Sequence, residues 1–321
     1  MRAAAIFGLG CSPRDLKPFQ DASAEASVAT WDWRIGLPAA ADQADVILLF
    51  GGDGTIHRHL PQLMKLGLPV LVAPVGSGND FARALGLRSV RDSLAAWRGF
   101  CATQANIQAI DLGVVSPLRG HAVEAPSPQE NDPARNSVLG TRRFFGCVAG
   151  IGLDAEVARR ANTLPRWLRG HGGYALTLAP AIFRFAPFPL KILAFEEGSA
   201  WNLRSDQPTM LAAFANTSTY GGGMQIAPRA RFDDGQLDVC VIGGIDPFKL
   251  FCLFPTVYSG RHLSIRGVEY FQGRRFRLET ETPFDVYADG EYVCRTPVEI
   301  AAEPAALRVI CRPDWKPETG N

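Results

Sequence analysis

The sequence predicts an α/β region followed by an all-β, antiparallel region, because its pattern of apolar residues changes along the chain. Up to about residue 110, short continuous apolar runs alternate with segments of helical spacing, which is typical of a parallel sheet covered by helices. After Asp111, short strand-like runs follow one another with turn residues between them, which indicates an antiparallel β-sandwich. A chain of 321 residues is also long for one core, so we expect two domains that meet near Asp111.

Composition and charge exclude several other classes of protein. Apolar residues make up 47% of the chain and charged residues 20%, which is ordinary for a globular protein. The formal net charge of +1 argues against a nucleic-acid partner. No apolar run is long enough to span a membrane, and the first residues soon become too polar for a signal peptide. Seven scattered cysteines without C-x-x-C spacing indicate reduced thiols in a cytoplasmic protein and no zinc site.

The first region contains three expected strands before its first glycine-rich turn. We predict a strand at Ala3–Gly8, a short helix between Cys11 and Ala24, and a second strand at Ser27–Trp31. Five consecutive large apolar residues, Val46–Phe50, then predict a strand that is buried on both faces. This third strand leads directly into the turn on which the functional interpretation depends.

That turn, Gly51–Thr55, lies between the buried strand and a segment with apolar residues at helical spacing. Free N–H groups and the helix dipole favour a phosphate at such a place, and glycines allow it to approach the backbone closely. Asp53, an acid among these amides, makes sense if a cation or a transferable proton accompanies the phosphate. Taken alone, the same letters also form ordinary tight turns.

A second unit repeats this order within forty residues. The apolar strand Leu68–Val75 is followed by the small-residue turn Gly76–Asp80 and by a helix that begins at Phe81. Helical spacing continues over Ser93–Phe100. Because ligands in open α/β sheets bind outside the carboxyl ends of strands, both turns are expected to face one crevice. Neither turn is a Walker A loop or a spaced G-x-G-x-x-G motif.

The second region begins with a strand at Asn106–Val115 and is expected to end with one at Ala306–Ile310. Residues 119–136 are polar and predict a flexible loop. Residues 154–185 predict helices with a basic patch, which forms either a solvated helix face or a contact with anionic membrane. The patch contains Arg159, Arg160, Arg166 and Arg169. The other strand-like runs are Arg143–Ala149, Leu190–Phe195, Met210–Asn216, Gln236–Ile242, Gly267–Phe271, Arg274–Glu279 and Phe284–Ala288.

The two glycine-rich stretches, Gly51–Thr55 and Pro74–Arg83, together resemble the diacylglycerol kinase catalytic-domain family. That family includes bacterial lipid kinases, sphingosine kinases and ceramide kinases, and it is related to the NAD kinases. Gly150–Ala155, Asn216 and Gly221–Gly223 follow in family order, so the resemblance covers most of the chain. It implies an N-terminal NAD-kinase-like α/β domain, residues 1–110 with 305–321 returning to it. It also implies a C-terminal antiparallel β-sandwich domain for the lipid substrate, residues 111–304.

The resemblance further implies that ATP and Mg²⁺ are cofactors. Asp53 is implied as a catalytic acid of the Mg-ATP site, supported by Asp80 and Asp111, although Asp111 is equally well interpreted as a turn residue. Thr30 is implied to contact the nucleotide, and it is equally well interpreted as an ordinary edge-strand threonine. The full implied nucleotide-binding set is Thr30, Gly51, Gly52, Asp53, Gly54, Thr55, Ile56, His57, Gly76, Ser77, Asn79 and Asp80.

Two further sites are implied in the second region. Asp234, with the carbonyl oxygens of Arg231 and Gln236, matches the family turn that holds a structural magnesium. Hard oxygen ligands suit Mg²⁺, and a simple Asp-Gly hairpin is the alternative. Glu291 matches the last acid of a family triplet, the base that takes the proton of the lipid hydroxyl. An ordinary Asp-Gly turn at Asp289 is the alternative interpretation of that triplet.

One departure from the family is His57-Arg58-His59, where many members have Asn-Glu-Val. Sphingosine kinases also have a histidine at the first position, but the glutamate missing at Arg58 could mean altered substrate, weak activity or none. The leading hypothesis is a cytoplasmic kinase for a lipid hydroxyl, with ATP and a diacylglycerol- or sphingoid-like lipid as partners. Peripheral membrane contact and possible homodimer formation are expected with it. The alternatives are a kinase for a soluble hydroxyl substrate, nearer the NAD kinases, and a nucleotide- or lipid-binding protein without catalysis.

Overall fold

The computed structural model describes residues 1–26, 30–118, 142–163, 180–196 and 200–315. Within these ranges, fifteen strands form one continuous mixed sheet. One part of the sheet is parallel and the other is antiparallel, as the change of pattern near Asp111 predicts.

The first region is a parallel sheet whose strands alternate with helices. The third strand is buried along its whole length, because its residues are apolar or glycine and helices cover such a strand on both faces. The strands are β1 (Arg2–Phe7), β2 (Asp32–Ile35), β3 (Val46–Gly51) and β4 (Val70–Pro74), and the helices are α1 (Lys17–Glu25), α2 (Asp53–Leu66), α3 (Asp80–Ala84) and α4 (Val90–Thr103). The strands lie in the order β4-β3-β1-β2.

Helix α2 starts directly at the carboxyl end of β3, which fixes the position of its N-terminus. Its buried residues Ile56, Leu60 and Leu63 lie on one face and pack into the core. The helix ends at Gly67, which has a φ of 62° and therefore adopts the left-handed conformation that glycine tolerates best. The polar face of α2 is thus left to contact other parts of the molecule.

The second region is mainly antiparallel and has its own core, in which Phe145, Phe214 and Phe276 are fully buried. Its strands are β5 (Ile107–Pro117), β6 (Arg143–Phe145), β7 (Val148–Gly152), β8 (Phe188–Glu196), β9 (Ala200–Ala215), β10 (Leu237–Gly243), β11 (Val268–Gly273), β12 (Arg275–Glu279), β13 (Asp285–Ala288), β14 (Glu291–Arg295) and β15 (Val298–Ile310). Its helices are α5 (Leu153–Thr163) and α6 (Pro247–Leu253), and residues 180–184 are also helical.

Strand β15 connects the two regions. It pairs antiparallel with β5 and β12 over most of its length, and then Val309 pairs in parallel with Val70 of β4. The last strand of the chain therefore returns to the parallel sheet, where it lies beside the strand that carries the second glycine-rich turn.

Several expectations need adjustment. The second strand is Asp32–Ile35, so it begins after the predicted segment, whose residues 27–29 lie outside the described ranges. The predicted loop at 119–136 also lies outside them, and the long helical segment is described only as α5 and residues 180–184. Among the described helices, none is long and apolar enough to cross a membrane.

Candidate active site

The two glycine-rich turns lie against each other at the carboxyl ends of β3 and β4. The two strands pair in parallel, with Gly51 opposite Pro74. A Cβ atom placed on Gly52 would lie 2.9 Å from the Cα atom of Gly76, and one on Gly76 would lie 2.6 Å from the Cα atom of Gly52. Because both distances are too short for real side chains, glycine is required at both positions.

Asp53, the first residue of α2, joins the two turns. Its Oδ2 atom accepts the N–H of Asp80 at 3.1 Å, and its Oδ1 atom accepts the N–H of Phe81 at 3.1 Å. The carboxylate therefore caps the first turn of α3. Desolvation, followed by the nearby charge of Asp80, raises the pKa of Asp53 to about 6.

Asn79 and Gly76 shape the second turn. Asn79 has a φ of 55°, a left-handed conformation that asparagine tolerates better than most residues. Its side chain accepts the N–H of Gly76 at 3.0 Å and donates to the carbonyl oxygen of Gly76 at 2.6 Å. Gly76 and Ser77 are exposed, as is Gly54 in the first turn, so the edge formed by the two turns is open to a ligand.

The buried Asp80 connects α3 to the triple-glycine run of the second region. Its Oδ2 atom accepts the N–H of Gly222 at 2.8 Å, and its Oδ1 atom lies 3.2 Å from Nη1 of Arg83. Burial raises the pKa of Asp80. Gly222 has a φ of 88°, which is possible because it carries no Cβ. The run is thereby held against the first region.

A third carboxylate, Asp289, lies in the turn between β13 and β14. It accepts the N–H groups of Gly146 at 2.7 Å, Cys147 at 2.9 Å and Val148 at 3.2 Å. Its Oδ2 atom also lies 3.3 Å from Nδ1 of His57 on α2. The Asp289 side chain is only 5% exposed. Sequence reasoning assigned Asp289 only to the shape of its turn and did not find these contacts.

Asp53, Asp80 and Asp289 form a carboxylate cluster in which the negative charges repel one another. Burial is the largest cause of the raised pKa of Asp53 and of Asp80, and the charge of Asp289 is a smaller cause that also raises both pKa values. A cation or a proton would relieve this repulsion. In the described part of the chain, no three His, Cys, Asp or Glu side chains converge as a ready metal site. A magnesium ion here would thus need oxygen ligands from a bound phosphate or from water.

Other residues of the implied nucleotide-binding set, and the neighbouring Arg58, have different surroundings. Thr55 packs against Gly51, since a Cβ atom on Gly51 would lie 2.7 Å from Cβ of Thr55. Ile56 is buried in the core. Thr30 is exposed next to β2, and its carbonyl oxygen accepts the N-terminal ammonium group at 2.7 Å. Arg58 is exposed, so the main departure from the family lies on the outer side of α2.

Asp111 has a structural role rather than a contact with Asp53. Its Oδ2 atom accepts the N–H of Gly235 at 2.6 Å, and its Oδ1 atom accepts the N–H of Ala305 at 2.8 Å. Among the described residues, no hydrogen bond joins Asp111 to Asp53 or Asp80. The observed contacts favour the turn interpretation, because the carboxylate anchors the 231–236 turn to β15.

The turn that carries the implied metal ligands is acidic and partly buried. Asp234 accepts the N–H of Gln236 at 3.0 Å, while Arg231 pairs with Asp233 at 3.0 Å. Burial raises the pKa of Asp234, and the charges of Asp238 and Asp111 add to this effect. A carboxylate with acidic neighbours offers the kind of hard oxygen donor that Mg²⁺ prefers.

Glu291 lies on the other side of the Asp289 turn, at the start of β14. It pairs with Ala288 of β13 and is partly buried. Asp289 has its carboxylate oxygens committed to three N–H groups and His57. Of the two acids in the triplet, Asp289 is therefore the one that these contacts place at the base of the turn, and Glu291 begins the strand that follows it.

An apolar cavity lies beside the cluster, and sequence reasoning did not predict it. Its wall includes Leu211, Ile226, Ile242, Leu250 and Val257 together with the polar residues Asp154, Tyr220 and His262. The hydroxyl of Tyr220 donates to Oδ1 of Asp154 at 2.8 Å, and burial raises the pKa of Asp154 to about 6. Tyr220 immediately precedes the Gly221–Gly223 run that contacts Asp80, so the polar end of the cavity is adjacent to the carboxylate cluster.

Comparisons with known proteins give matches over both regions. The profile of the diacylglycerol kinase catalytic domain matches residues 34–115, and that of the YegS C-terminal NAD kinase beta sandwich-like domain matches residues 147–311. The diacylglycerol kinase of Mycobacterium tuberculosis is 32% identical over 272 residues, which cover 85% of this chain and 78% of that protein. The diacylglycerol kinase of Bacillus subtilis is 24% identical over 256 residues, which cover 79% of this chain and 73% of that protein.

A solved structure shows the same fold. The crystal structure of a diacylglycerol kinase from Bacillus anthracis str. Sterne has a TM-score of 0.63 and 18% identity, and the match covers 97% of both chains. The predicted fold class, an α/β domain followed by an antiparallel β-sandwich domain, is confirmed by this structure and by the two profiles. The family resemblance of the glycine-rich turns is confirmed as well.

Proposed function

The chain belongs to the diacylglycerol kinase catalytic-domain family, and from this premise we propose that it transfers the γ-phosphate of ATP to a lipid hydroxyl. The observation that carries the proposal is the meeting of the two glycine-rich turns at Asp53, beside an apolar cavity. Phosphoryl transfer depends on held phosphates, offset charge and a positioned hydroxyl, and this arrangement offers a place for each. The lipid is diacylglycerol-like or sphingoid-like.

The exposed edge of the two turns is the proposed phosphate site. Gly52 and Gly76 leave the backbone accessible, and the N-terminus of α2, a helix of 14 residues, points its free N–H groups there. Close approach of a phosphate to this edge is compatible with the exposure of Gly54 and Ser77. Thr30 and the other residues of the nucleotide-binding set implied by the family resemblance are proposed to contact the nucleotide.

Magnesium is proposed at two places. Asp53 and Asp80 supply carboxylates near the phosphate site, and Mg²⁺ bound with phosphate and water would offset the charge of the phosphates. Asp234, with the carbonyl oxygens of Arg231 and Gln236, supplies the donors for a structural ion. The acidic surroundings of both places support a cation.

Glu291 is the proposed base for the lipid hydroxyl. It follows Asp289, whose carboxylate is held by three N–H groups and by His57. This arrangement fixes the backbone next to Glu291 relative to α2 and to the first glycine-rich turn. Glu291 would accept the hydroxyl proton as the γ-phosphate is transferred, while Asp53 remains within the charged network of the phosphate site.

The apolar cavity supports a lipid rather than a soluble substrate. Its wall is apolar apart from a few residues, and Tyr220 places its polar end next to the Gly221–Gly223 run and hence near Asp80. An acyl or sphingoid chain in the cavity would direct its hydroxyl towards the cluster. Peripheral membrane contact from the cytoplasm belongs to this proposal, with possible homodimer formation. The proposal also includes the division of the chain into a nucleotide-binding domain, residues 1–110 with 305–321, and a lipid-substrate domain, residues 111–304.

The proposal is tested by incubating the protein with Mg²⁺, γ-labelled ATP and separate acceptors: a diacylglycerol, a sphingoid base and NAD. Labelled lipid is expected with the wild-type protein, and the Asp53→Asn variant serves as the blank. Labelled NAD without labelled lipid would favour the soluble-substrate alternative. If ATP bound but no acceptor became labelled, the chain would be a binding protein without catalysis.

A further inference from the structure

Four aromatic side chains are exposed together around the mouth of the apolar cavity. We call Phe183, Phe248, Phe251 and Tyr258 the aromatic rim; their exposed fractions are 53%, 67%, 44% and 50%. Large apolar side chains with this exposure are costly in water when they are grouped. The rim therefore calls for a partner that removes it from water.

The rim is continuous with the cavity wall. Helix α6 directs Leu250 and Leu253 into the cavity, while Phe248 and Phe251 of the same helix remain exposed. The ring of Phe251 lies 5.8 Å from that of Phe183, and Phe183 follows the cavity residue Ile182. Tyr258 both lines the cavity and exposes half of its surface. A molecule that covered the rim would thus also lie at the cavity entrance.

The charges around the rim are predominantly positive. Residues 246–266 contain Lys249, Arg261 and Arg266 but a single acid, Asp246, whose side chain accepts the N–H of Lys249 and so caps α6. Arg184 is exposed next to Phe183. In the part of the chain that the structure describes, no ion pair offsets any of these four cations. This differs from the rest of a chain whose formal net charge is only +1.

The basic patch suggested by the sequence is a weaker source of charge. Arg159 and Arg160 both pair with Glu156, at 2.8 Å and 2.7 Å. Arg166 and Arg169 lie outside the described residues. Of these two groups of cations, the rim group is therefore the one in which no ion pair joins the described residues.

We propose that the aromatic rim docks onto the surface of an anionic lipid bilayer, so that lipid enters the cavity directly from the membrane. Exposed aromatic side chains on a short helix, with Lys and Arg beside them, suit the interface between headgroups and acyl chains. Each nearby Lys or Arg adds roughly 1 kcal/mol of attraction to an anionic surface. The choice of partner rests on the proposed lipid kinase function, because a lipid substrate must leave a bilayer to reach the cavity.

The test compares binding to vesicles in the absence of ATP. Vesicles of phosphatidylcholine alone and of phosphatidylcholine with phosphatidylglycerol are sedimented with the full-length protein. The wild type is expected to bind the anionic vesicles, and the Phe248→Ser/Phe251→Ser double variant to bind them at least about tenfold more weakly. Leu203→Ser is the matched control, because Leu203 is 56% exposed on β9 but lies outside the rim. Its binding is expected to equal that of the wild type.

A native cysteine gives a second, local readout. Cys252 lies between Phe251 and Leu253 and is exposed, whereas Cys11 is partly buried and the other five cysteines are buried. An environment-sensitive fluorophore on Cys252 should shift to shorter wavelength when anionic vesicles are added. Cys252→Ser, treated identically, shows how much of the signal arises at Cys11.

Two results would overturn the proposal. One is equal vesicle binding by the double variant and Leu203→Ser, with no fluorescence shift at Cys252. The other is a wild-type dimer that the double variant converts to monomer while vesicle binding stays unchanged, because a second copy of the chain would then cover the rim. Vesicle binding needs no catalysis, so a protein that docks through the rim but labels no lipid would contradict the kinase proposal alone.

Discussion

The Nδ1 atom of His57 lies 3.3 Å from the Oδ2 atom of Asp289, and this contact joins two residues that are 232 positions apart in sequence. His57 belongs to α2, which starts at the first glycine-rich turn, and Asp289 forms the turn that precedes Glu291. This polar contact therefore links the proposed phosphate site to the turn that carries the proposed base. The histidine that departs from the common family residue has a specific partner in this chain.

His57→Ala should lower kcat by about tenfold and change the KM for ATP little, because it loosens the Asp289 turn without altering the glycine-rich turns. His57→Asn should retain more activity, since an amide can still donate to Asp289. Steady-state kinetics with separate kcat and KM values check this. Arg58→Ala is the control, because Arg58 follows His57 on the same helix and its side chain is exposed. Equal losses in His57→Ala and Arg58→Ala would show that the contact does not position the site.

Asp53→Asn should reduce turnover by roughly two to three orders of magnitude, because it removes a charge from the phosphate site. The amide oxygen can still accept one N–H from the first turn of α3, so we expect the variant to fold. Circular dichroism and thermal unfolding establish the fold, and lipid phosphorylation gives the rate. Wild-type turnover in the folded variant would remove Asp53 from the catalytic set.

Gly76→Ala should weaken ATP binding by at least about tenfold, because the new Cβ would lie 2.6 Å from Cα of Gly52 and force the turns apart. Gly54→Ala is informative beside it. Beyond its chain neighbours and the backbone of its own helix, a Cβ on Gly54 meets no atom within 4 Å, so a loss of binding there is expected to arise from the nucleotide. Calorimetric titration with ATP measures both. If Gly76→Ala bound ATP like the wild type, the phosphates would have to lie elsewhere.

Asp154 predicts a dependence of stability on pH. Burial raises its folded-state pKa from 3.8 to about 6, so the folded protein holds this proton more tightly than the unfolded chain does. The resulting contribution to stability is fully present below about pH 4 and is lost as the pH rises through about 6. Above that pH the ionised carboxyl costs about 3 kcal/mol, an order-of-magnitude figure.

Asp154→Asn should remove this dependence, because its amide stays neutral and can still accept the Tyr220 hydroxyl. Urea unfolding at pH 5 and pH 8 measures the free energy of unfolding of both proteins. The stability of the variant relative to the wild type is expected to increase from pH 5 to pH 8. A constant difference between the two proteins would mean that Asp154 does not titrate in this interval.

Local sequence patterns were sufficient to predict the strands and helices that carry the glycine-rich turns. The apolar run at β3 and the one at β4 can only be buried strands, and each is followed by residues that favour a turn and a helix start. The meeting of the turns follows from the parallel pairing of the strands. Fold class and family were predicted correctly for the same reason.

Contacts between distant segments could not be predicted in this way. Asp289 contacts residues more than 140 positions away, and its role depends on how β13 and β7 pair. Asp111 was expected near Asp53 but anchors Gly235 and Ala305, because β5 carries it to β15. The cavity beside Asp154 depends on α6, whose short helical pattern is not distinctive. Such features depend on tertiary pairing, which a single sequence does not specify.

The most direct test of the account is the transfer of label from γ-labelled ATP to a lipid hydroxyl by Glu291→Gln, with Mg-ATP affinity measured in parallel. We predict unchanged Mg-ATP binding and a rate lower by about 10²–10⁴-fold, with loss of the acidic limb that a carboxylate base gives to the pH–rate profile of the wild type. Normal transfer of the label to lipid by this variant would contradict the account.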